Sequence, residues 1–520
     1  MKKRYWILIT LLVLGIVFFL SQLPRKPKGG MTRLIAEAKA RQYPIREDGM
    51  VDYLAVANRN FSEVSPETNM LVDFVQCLGT EGYLEPDSQF EFEFLEKLGN
   101  PEIPDHDFYV APETYVRENS DDPDEAVAQV ENCYSTPWSK EEFPLLGEWI
   151  VKQTPHLDQF VVASEKPYYY HPLCQEDGVV IAALLPYAQT VREVARALSI
   201  RASYELNEGN IENCARDLIA IRKIGKALTN SGTLIESLIG CACIYHAFDI
   251  EDALVDELAK GASWPDEAID QFRKAVREST DLPSLNGPVD RGEGLFIRDV
   301  MQRMEKGDLD SAQLAFGGQE GVPSNLLKLA GRLVDWEAAT DLVLKRHEQI
   351  IEALKIEDHV QRAAAVDKIE MELKKIERET NENVVQTAMS AFFSPQKRGE
   401  MIGQIMSSQL SPAMKAINSA RTRTLMLDLT DTALALERYR RKEGRFPDSL
   451  DDLVPDFLPE VPDDRFRGQP VSYVVTDSGY RLWSWGINQR DEQSEPDGKL
   501  IPRPRPEGTN IDDVVIGVGD

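Results

Sequence analysis

The chain has 520 residues, of which 42% are hydrophobic, 28% are charged and 8% are aromatic. This length and composition fit two to four globular domains and exclude both a disordered chain and a small disulfide scaffold. The formal net charge of −29 argues against nucleic acid or anionic lipid as a partner, because both repel an acidic surface.

The N-terminal segment is typical of a membrane anchor. Basic residues 2–4 precede residues 5–23, a stretch without a charge. About 20 apolar residues span a bilayer core, and Tyr5 and Trp6 stand where interfacial aromatic residues are usually found. No small-residue cleavage site of a signal peptide follows. We therefore expect residues 1–30 to form a cytoplasmic tip, an uncleaved transmembrane helix and a linker.

The predicted anchor also predicts a location. A short N-terminal tip normally stays in the cytoplasm. We therefore expect a single-pass protein of the bacterial inner membrane, held in the cytoplasmic membrane by residues 5–23. Its N-terminus would be cytoplasmic, and the bulk of the chain would be extracytoplasmic, in the periplasm.

Six cysteines leave two interpretations open. An even number of cysteines in an exported chain permits disulfides, and Cys214 lies on a predicted helix next to the helix of Cys241 and Cys243. Alternatively, the thiols fill a helical core as small apolar groups. The six cysteines are Cys77, Cys133, Cys174, Cys214, Cys241 and Cys243.

Beyond the anchor, composition and helix periodicity divide the chain into five regions. Residues 31–138 are mixed and acidic, with short helical stretches between Pro-rich loops. Residues 139–280 show consecutive amphipathic helices, and residues 281–324 form a connector rich in Gly and Pro. Helical patterns return over residues 325–420, and residues 421–520 form a distinct end module. The helices lack a 34-residue period, so we expect an irregular array rather than a regular solenoid.

The sequence lacks the compact signatures of common enzymes, such as HExxH, GxSxG and the phosphate-binding GxxxxGK[ST] motif. Its densest aromatic cluster is the segment Tyr168–His171. This segment either lines a carbohydrate or peptide groove or packs its tyrosines onto the core. The missing signatures favour a protein that is not an enzyme, although a site assembled from distant residues would leave no short motif.

The end module has a recognisable order of motifs. A helix with basic residues in its last turn stops at Gly444 and is followed by Arg-Phe-Pro at 445–447. The pattern P-x-D-x-F-x-G-x-P-x-x-Y then occupies residues 462–473. Two strand patterns flank the turn at 477–479, and residues 514–518 offer a last strand.

This order of motifs resembles the globular domain of the type II secretion major pseudopilin. The resemblance covers about residues 425–518, and it implies a long helix followed by a small antiparallel sheet. The rest of the chain resembles uncharacterised membrane-anchored bacterial proteins. The N-terminal peptidase motif of pseudopilins is missing here, and some 400 residues separate the anchor from the module. We therefore expect an interaction or stability module rather than a filament subunit.

The same resemblance implies a calcium site. In major pseudopilins, the loop after a Ser-x-Gly strand end and a following acidic cluster hold the ion. Here Ser484 and Gly486 match the strand end, Asp512 and Asp513 match the acidic pair, and Asp491 is a further candidate ligand. Carboxylates on an adaptable loop are ligands that Ca²⁺ prefers. The alternative is that these are ordinary solvated acids.

Together these features predict a mainly α protein with an N-terminal transmembrane helix and an irregular helical array. A small α+β pseudopilin-like C-terminal domain with a short antiparallel sheet would complete it. We expect a membrane-anchored extracytoplasmic interaction or assembly protein of the bacterial cell envelope that is not an enzyme and has a protein partner there. The alternative is an envelope enzyme, such as a hydrolase, with its site in the helical array.

Overall fold

The computed structural model describes most of the chain outside its N-terminal segment. The predicted anchor at residues 5–23 lies outside the described residues, as does much of the predicted connector at 281–324. No helix within the described ranges is long and apolar enough to cross a membrane. The described residues are 29–59, 64–84, 89–105, 107–174, 180, 187–280, 285, 287–308, 334–382, 394–408, 410–494 and 513–519.

The predicted mainly α class is confirmed for the described part of the chain. Short helices come first, and several begin at a proline or after a polar cap. Asp122 caps one of them by accepting from the Glu125 N–H at 3.3 Å. These helices are α1 (Gly30–Ala40), α2 (Tyr53–Arg59), α3 (Met70–Leu78), α4 (Glu91–Lys97), α5 (Pro112–Asn119) and α6 (Pro123–Asn132).

Longer helices form the predicted array. Gly209 closes the turn between two of them with a φ of 76°, a conformation that favours glycine. Thr233 and Glu236 form a capping box at the start of another. These helices are α7 (Pro144–Ala163), α8 (Tyr187–Asn207), α9 (Ile211–Thr229), α10 (Leu234–Ala259) and α11 (Asp266–Thr280).

Helices α9 and α10 cross at two glycines. A Cβ added to Gly225 would lie 2.8 Å from the Gly240 carbonyl oxygen, and one added to Gly240 would lie 2.4 Å from the Gly225 carbonyl oxygen. Both distances are below any ordinary contact, so the backbones approach each other more closely than side chains would allow.

A second group of helices builds its own hydrophobic core. Leu34, Ile297, Val343 and Met406 from four different helices belong to this core. A π-helical turn at Pro288–Glu293 leads into the first helix of the group. The group is α12 (Gly294–Lys306), α13 (Trp336–Leu354), α14 (His359–Glu382), α15 (Pro395–Ser408) and α16 (Ser411–Glu443), with α1 packed against it.

The predicted small antiparallel sheet near the C-terminus is confirmed. Helix α16 ends at Gly444, which has a φ of 78°. Three strands then pair antiparallel in the order β3-β4-β5, and two very short strands pair separately. The strands are β1 (Asp463–Asp464), β2 (Gln469–Pro470), β3 (Ser472–Val475), β4 (Tyr480–Ser484) and β5 (Val514–Val518).

The end module shares a hydrophobic core with the helical array. Leu254 of α10, Leu429 of α16 and Ile516 of β5 belong to the same buried cluster. Polar groups also join these helices, because Arg222 of α9 pairs with Glu251 of α10, which accepts from the Thr430 hydroxyl of α16 at 2.7 Å. Helix α16 is therefore packed on the array along with the sheet.

All six cysteines are buried and free. Burial raises the pKa of Cys77, Cys133 and Cys174 to about 12, so these thiols stay protonated at neutral pH. Of the two interpretations that the sequence left open, the structure shows thiols that fill the core.

Candidate functional site in the C-terminal module

One edge of the sheet is covered by helix α10. Asp252 accepts from the Gly517 N–H of β5 at 2.9 Å, and Asp256 accepts from the Gly519 N–H at 3.2 Å. The two aspartates are four residues apart and therefore lie on one face of the helix. They occupy backbone donors that a further strand would otherwise use.

The other edge of the sheet is strand β3. The Thr476 N–H donates to the Gly479 carbonyl at 2.9 Å, and hydrogen-bonded pairs alternate along an antiparallel ladder. The backbone groups of Tyr473 and Val475 therefore point away from β4. Among the described residues, no strand pairs with this edge. The side chains of Val474 and Val475 are 40% and 43% exposed.

The central strand β4 is buried along its whole length. Asp464, which is fully buried, accepts from the Phe466 N–H at 2.9 Å and from the Trp485 N–H at 3.0 Å. It thereby fixes the start of the loop that follows β4. That loop contains Asp491, one of the predicted calcium ligands.

Asp491 holds its own loop together. Its Oδ1 accepts from the Gln493 N–H at 3.0 Å, the Ser494 N–H at 3.2 Å and the Trp483 indole N–H at 3.3 Å. Its Oδ2 accepts from the Ser494 hydroxyl. Both oxygens are thus engaged by donors of the chain, an arrangement common for aspartate in turns.

Asp513 has a different environment. Its Oδ2 accepts from the Glu492 N–H at 2.9 Å, and its Oδ1 is buried. The side chain of Gln493 interacts with the same carboxyl group and lowers its pKa. Burial raises the pKa of Asp513 to about 6, and the charges of Glu492 and Asp491 add to this rise. A cation at Oδ1 would satisfy this oxygen and stabilise the charged carboxylate.

The structure therefore brings two of the three predicted ligands into one loop cluster. Asp513 fits a cation site, since it has a buried oxygen to offer. Asp491 fits it less well because both of its oxygens already accept hydrogen bonds. Asp512 lies outside the described residues. Within those residues, no group of three or more His, Cys, Asp or Glu side chains is arranged to hold a metal ion, so the calcium site stays a prediction.

The aromatic segment Tyr168–His171 packs onto the core, which was one of its two interpretations. The Tyr169 ring lies 6.1 Å from that of Phe74, and the His171 ring lies 5.2 Å from that of Phe94. Burial lowers the pKa of His171 to about 3, so its imidazole is neutral at physiological pH. Tyr168 alone in this segment is well exposed, at 47%.

The two aspartates that cover the edge of β5 were not predicted from the sequence. The available signal was the i,i+4 spacing of Asp252 and Asp256, but the same helix carries four other acidic residues, so this pair does not stand out. The position of β3 at the uncovered edge was not predicted either, because strand order is set by contacts between distant segments.

Comparisons with protein-family models, with curated proteins and with solved structures find no match to this chain. The resemblance of residues 425–518 to the pseudopilin domain therefore stays a prediction that rests on the motifs themselves.

Proposed function

We propose that this chain is a membrane-anchored extracytoplasmic interaction or assembly protein of the bacterial cell envelope, and that it is not an enzyme. The observation that carries the proposal is the difference between the two edges of its C-terminal sheet. Asp252 and Asp256 cover β5, whereas the outward backbone groups of β3 have no partner within the described ranges.

An uncovered edge strand is a template for another strand. Proteins usually protect such edges with charges, prolines or bulges, but β3 has the sequence Ser-Tyr-Val-Val and carries none of these. A partner segment that adds to β3 would gain main-chain hydrogen bonds from Tyr473 and Val475 and an apolar contact with Val474. The partner is therefore an envelope protein with an extended segment of alternating apolar residues.

Two further features of the proposal come from the sequence. The predicted anchor at residues 5–23 would hold the chain at the inner membrane, with the module in the periplasm. The predicted calcium site at Asp491, Asp512 and Asp513 would tie the loop after β4 to the start of β5. In this role calcium stabilises the module and takes no part in a reaction.

The test uses the full chain in native membranes, with a photo-crosslinking residue at position 474. Val475→Pro removes one outward N–H and blocks strand addition, whereas Val475→Thr keeps both the N–H and a β-branched side chain. We expect a crosslinked envelope protein that is recovered with the Val475→Thr variant and lost with Val475→Pro. Equal recovery from both variants, or no crosslink in the unaltered chain, would overturn the proposal.

A further inference from the structure

A cleft lies between helices α3 and α7 and the loop before α5. Its volume is about 570 Å³, within the range of small-molecule sites. Helix α3, helix α7 and the residues before α5 supply the described part of its lining. The lining residues are Asp73, Gln76, Cys77, Glu102, Pro104, Asp107, Pro155, His156, Asp158, Gln159 and Val162.

The cleft has four carboxylates and neither lysine nor arginine among its lining residues. Two of the carboxylates form ion pairs with residues that do not line the cleft. Lys166 binds Asp73, and Arg201 lies 2.8 Å from Asp158. Glu102 and Asp107 form no ion pair with any described residue. Their negative charge therefore remains available at the mouth of the cleft, where both side chains are exposed.

A buried histidine at the cleft wall offers an unused acceptor. His156 is 8% exposed, and its Nε2 lies 2.8 Å from the Asp107 carbonyl oxygen. A carbonyl only accepts, so Nε2 carries a proton, and in the neutral form of the imidazole Nδ1 has a lone pair. Nδ1 is buried and has no partner among the described residues. A buried polar atom without a partner costs about 1–3 kcal/mol, which a donor on a bound ligand would recover.

The other groups in the cleft limit the chemistry to binding. The Cys77 thiol donates to the Gln159 side-chain oxygen at 2.7 Å, and burial raises its pKa to about 12, so it is no nucleophile at neutral pH. No described cluster of three metal-ligating side chains occurs here, which disfavours a bare divalent ion. Val162, Pro104 and Pro155 add apolar surface beside the acceptors.

We propose that this cleft binds a small organic cation, an aliphatic amine with at least one protonated ammonium group. The ammonium would donate hydrogen bonds to Nδ1 of His156 and to the carboxylates of Glu102 and Asp107. Its aliphatic part would lie against Val162 and Pro155. Ammonium groups supply several donors and a positive charge, and the described lining has no positively charged residue of its own.

Isothermal titration of the full chain in detergent tests this site, with 1,5-diaminopentane and spermidine as probes. Glutarate, a dianion of similar length, and Mg²⁺ serve as comparison ligands. The test variant is Glu102→Gln with Asp107→Asn. Both replacements remove a charge and little volume, and Asn tolerates the positive φ of 65° at position 107. The control variant, Glu118→Gln with Asp121→Asn, removes the same charge from exposed positions elsewhere.

We expect the diamine to bind the unaltered chain and the control variant alike, and to bind the test variant at least tenfold more weakly. His156→Phe should also weaken binding tenfold or more while the two carboxylates remain. Absence of diamine binding, equal weakening in the control variant, or equally tight binding of glutarate or Mg²⁺ would overturn the proposal. The Val475→Pro variant should bind the amine normally, so this test is independent of the sheet edge.

Discussion

Replacing Arg222 by Met should destabilise the protein by about 3–5 kcal/mol, the usual cost of breaking a buried ion pair. Arg222 and Glu251 are 1% and 0% exposed at their side chains, and Nε of Arg222 donates to Oε1 of Glu251 at 2.6 Å. Without the guanidinium, the Glu251 carboxylate would stay buried with the Thr430 hydroxyl as its remaining donor in the described structure. The cost comes from this uncompensated charge.

The size of this effect is measurable because folded domains are stable by only about 5–15 kcal/mol. With an m-value of about 3 kcal/mol/M in urea, the unfolding midpoint should fall by about 1–2 M. The double variant Arg222→Met with Glu251→Leu removes both charges and should regain most of the loss, since apolar replacement of a whole buried pair is often neutral.

Urea titration followed by far-ultraviolet circular dichroism provides the measurement, and the next residue in the same helix provides the control. Lys223 pairs with Glu165, and these side chains are 37% and 66% exposed. Lys223→Met should therefore cost less than about 1 kcal/mol. If Arg222→Met costs no more than Lys223→Met, or if the double variant is less stable than Arg222→Met alone, the buried-charge argument is wrong.

Three other predictions concern packing, the sheet edge and the loop acids. Gly240→Ala should lower stability by about 1–3 kcal/mol, because the added Cβ would collide with the Gly225 carbonyl. An unchanged melting temperature would contradict the close approach of α9 and α10. Asp252→Ala should speed amide hydrogen exchange at Gly517, and unchanged exchange there would show that this aspartate does not hold β5. Asp513 has a folded pKa of about 6, above its unfolded value of about 3.9. The folded state therefore binds the extra proton, and its stability should fall by about 1–2 kcal/mol as pH rises from 4 to 6, after allowance for solvent screening. Asp513→Asn should remove this pH-dependent loss of stability and any rise in melting temperature caused by calcium. If the variant responds to pH and calcium as the unaltered chain does, Asp513 is responsible for neither response.

Local patterns predicted the local structure well. The basic last turn and Gly444 indicated the end of α16, and the Asp-Ser-Gly turn at 477–479 indicated the hairpin of β3 and β4. Helix periodicity likewise indicated the array. Each of these features depends on residues that are neighbours in sequence, so their physical causes are visible in a single chain.

The arrangement of these elements had no such local signal. The sequence indicated a separate end module, but gave no sign that Leu254 of the array and Ile516 of the module would share one core. Nor did it indicate the cleft between α3 and α7, whose segments are brought together only by tertiary packing. The sequence also gave no signal that Asp491 accepts hydrogen bonds from Gln493, Ser494 and the Trp483 indole, and calcium binding there stays a prediction.

The bond between Asp252 and the Gly517 amide joins residues 265 positions apart, which has a consequence for how the chain matures. Synthesis at about 5–20 residues per second means that α10 emerges roughly 15–50 s before the strand that covers it. During this interval the apolar face around Leu254 has no β5 to cover it, and such surfaces aggregate readily. The part of the core around Leu254 that β5 covers is therefore completed only after almost all of the 520 residues have been synthesised.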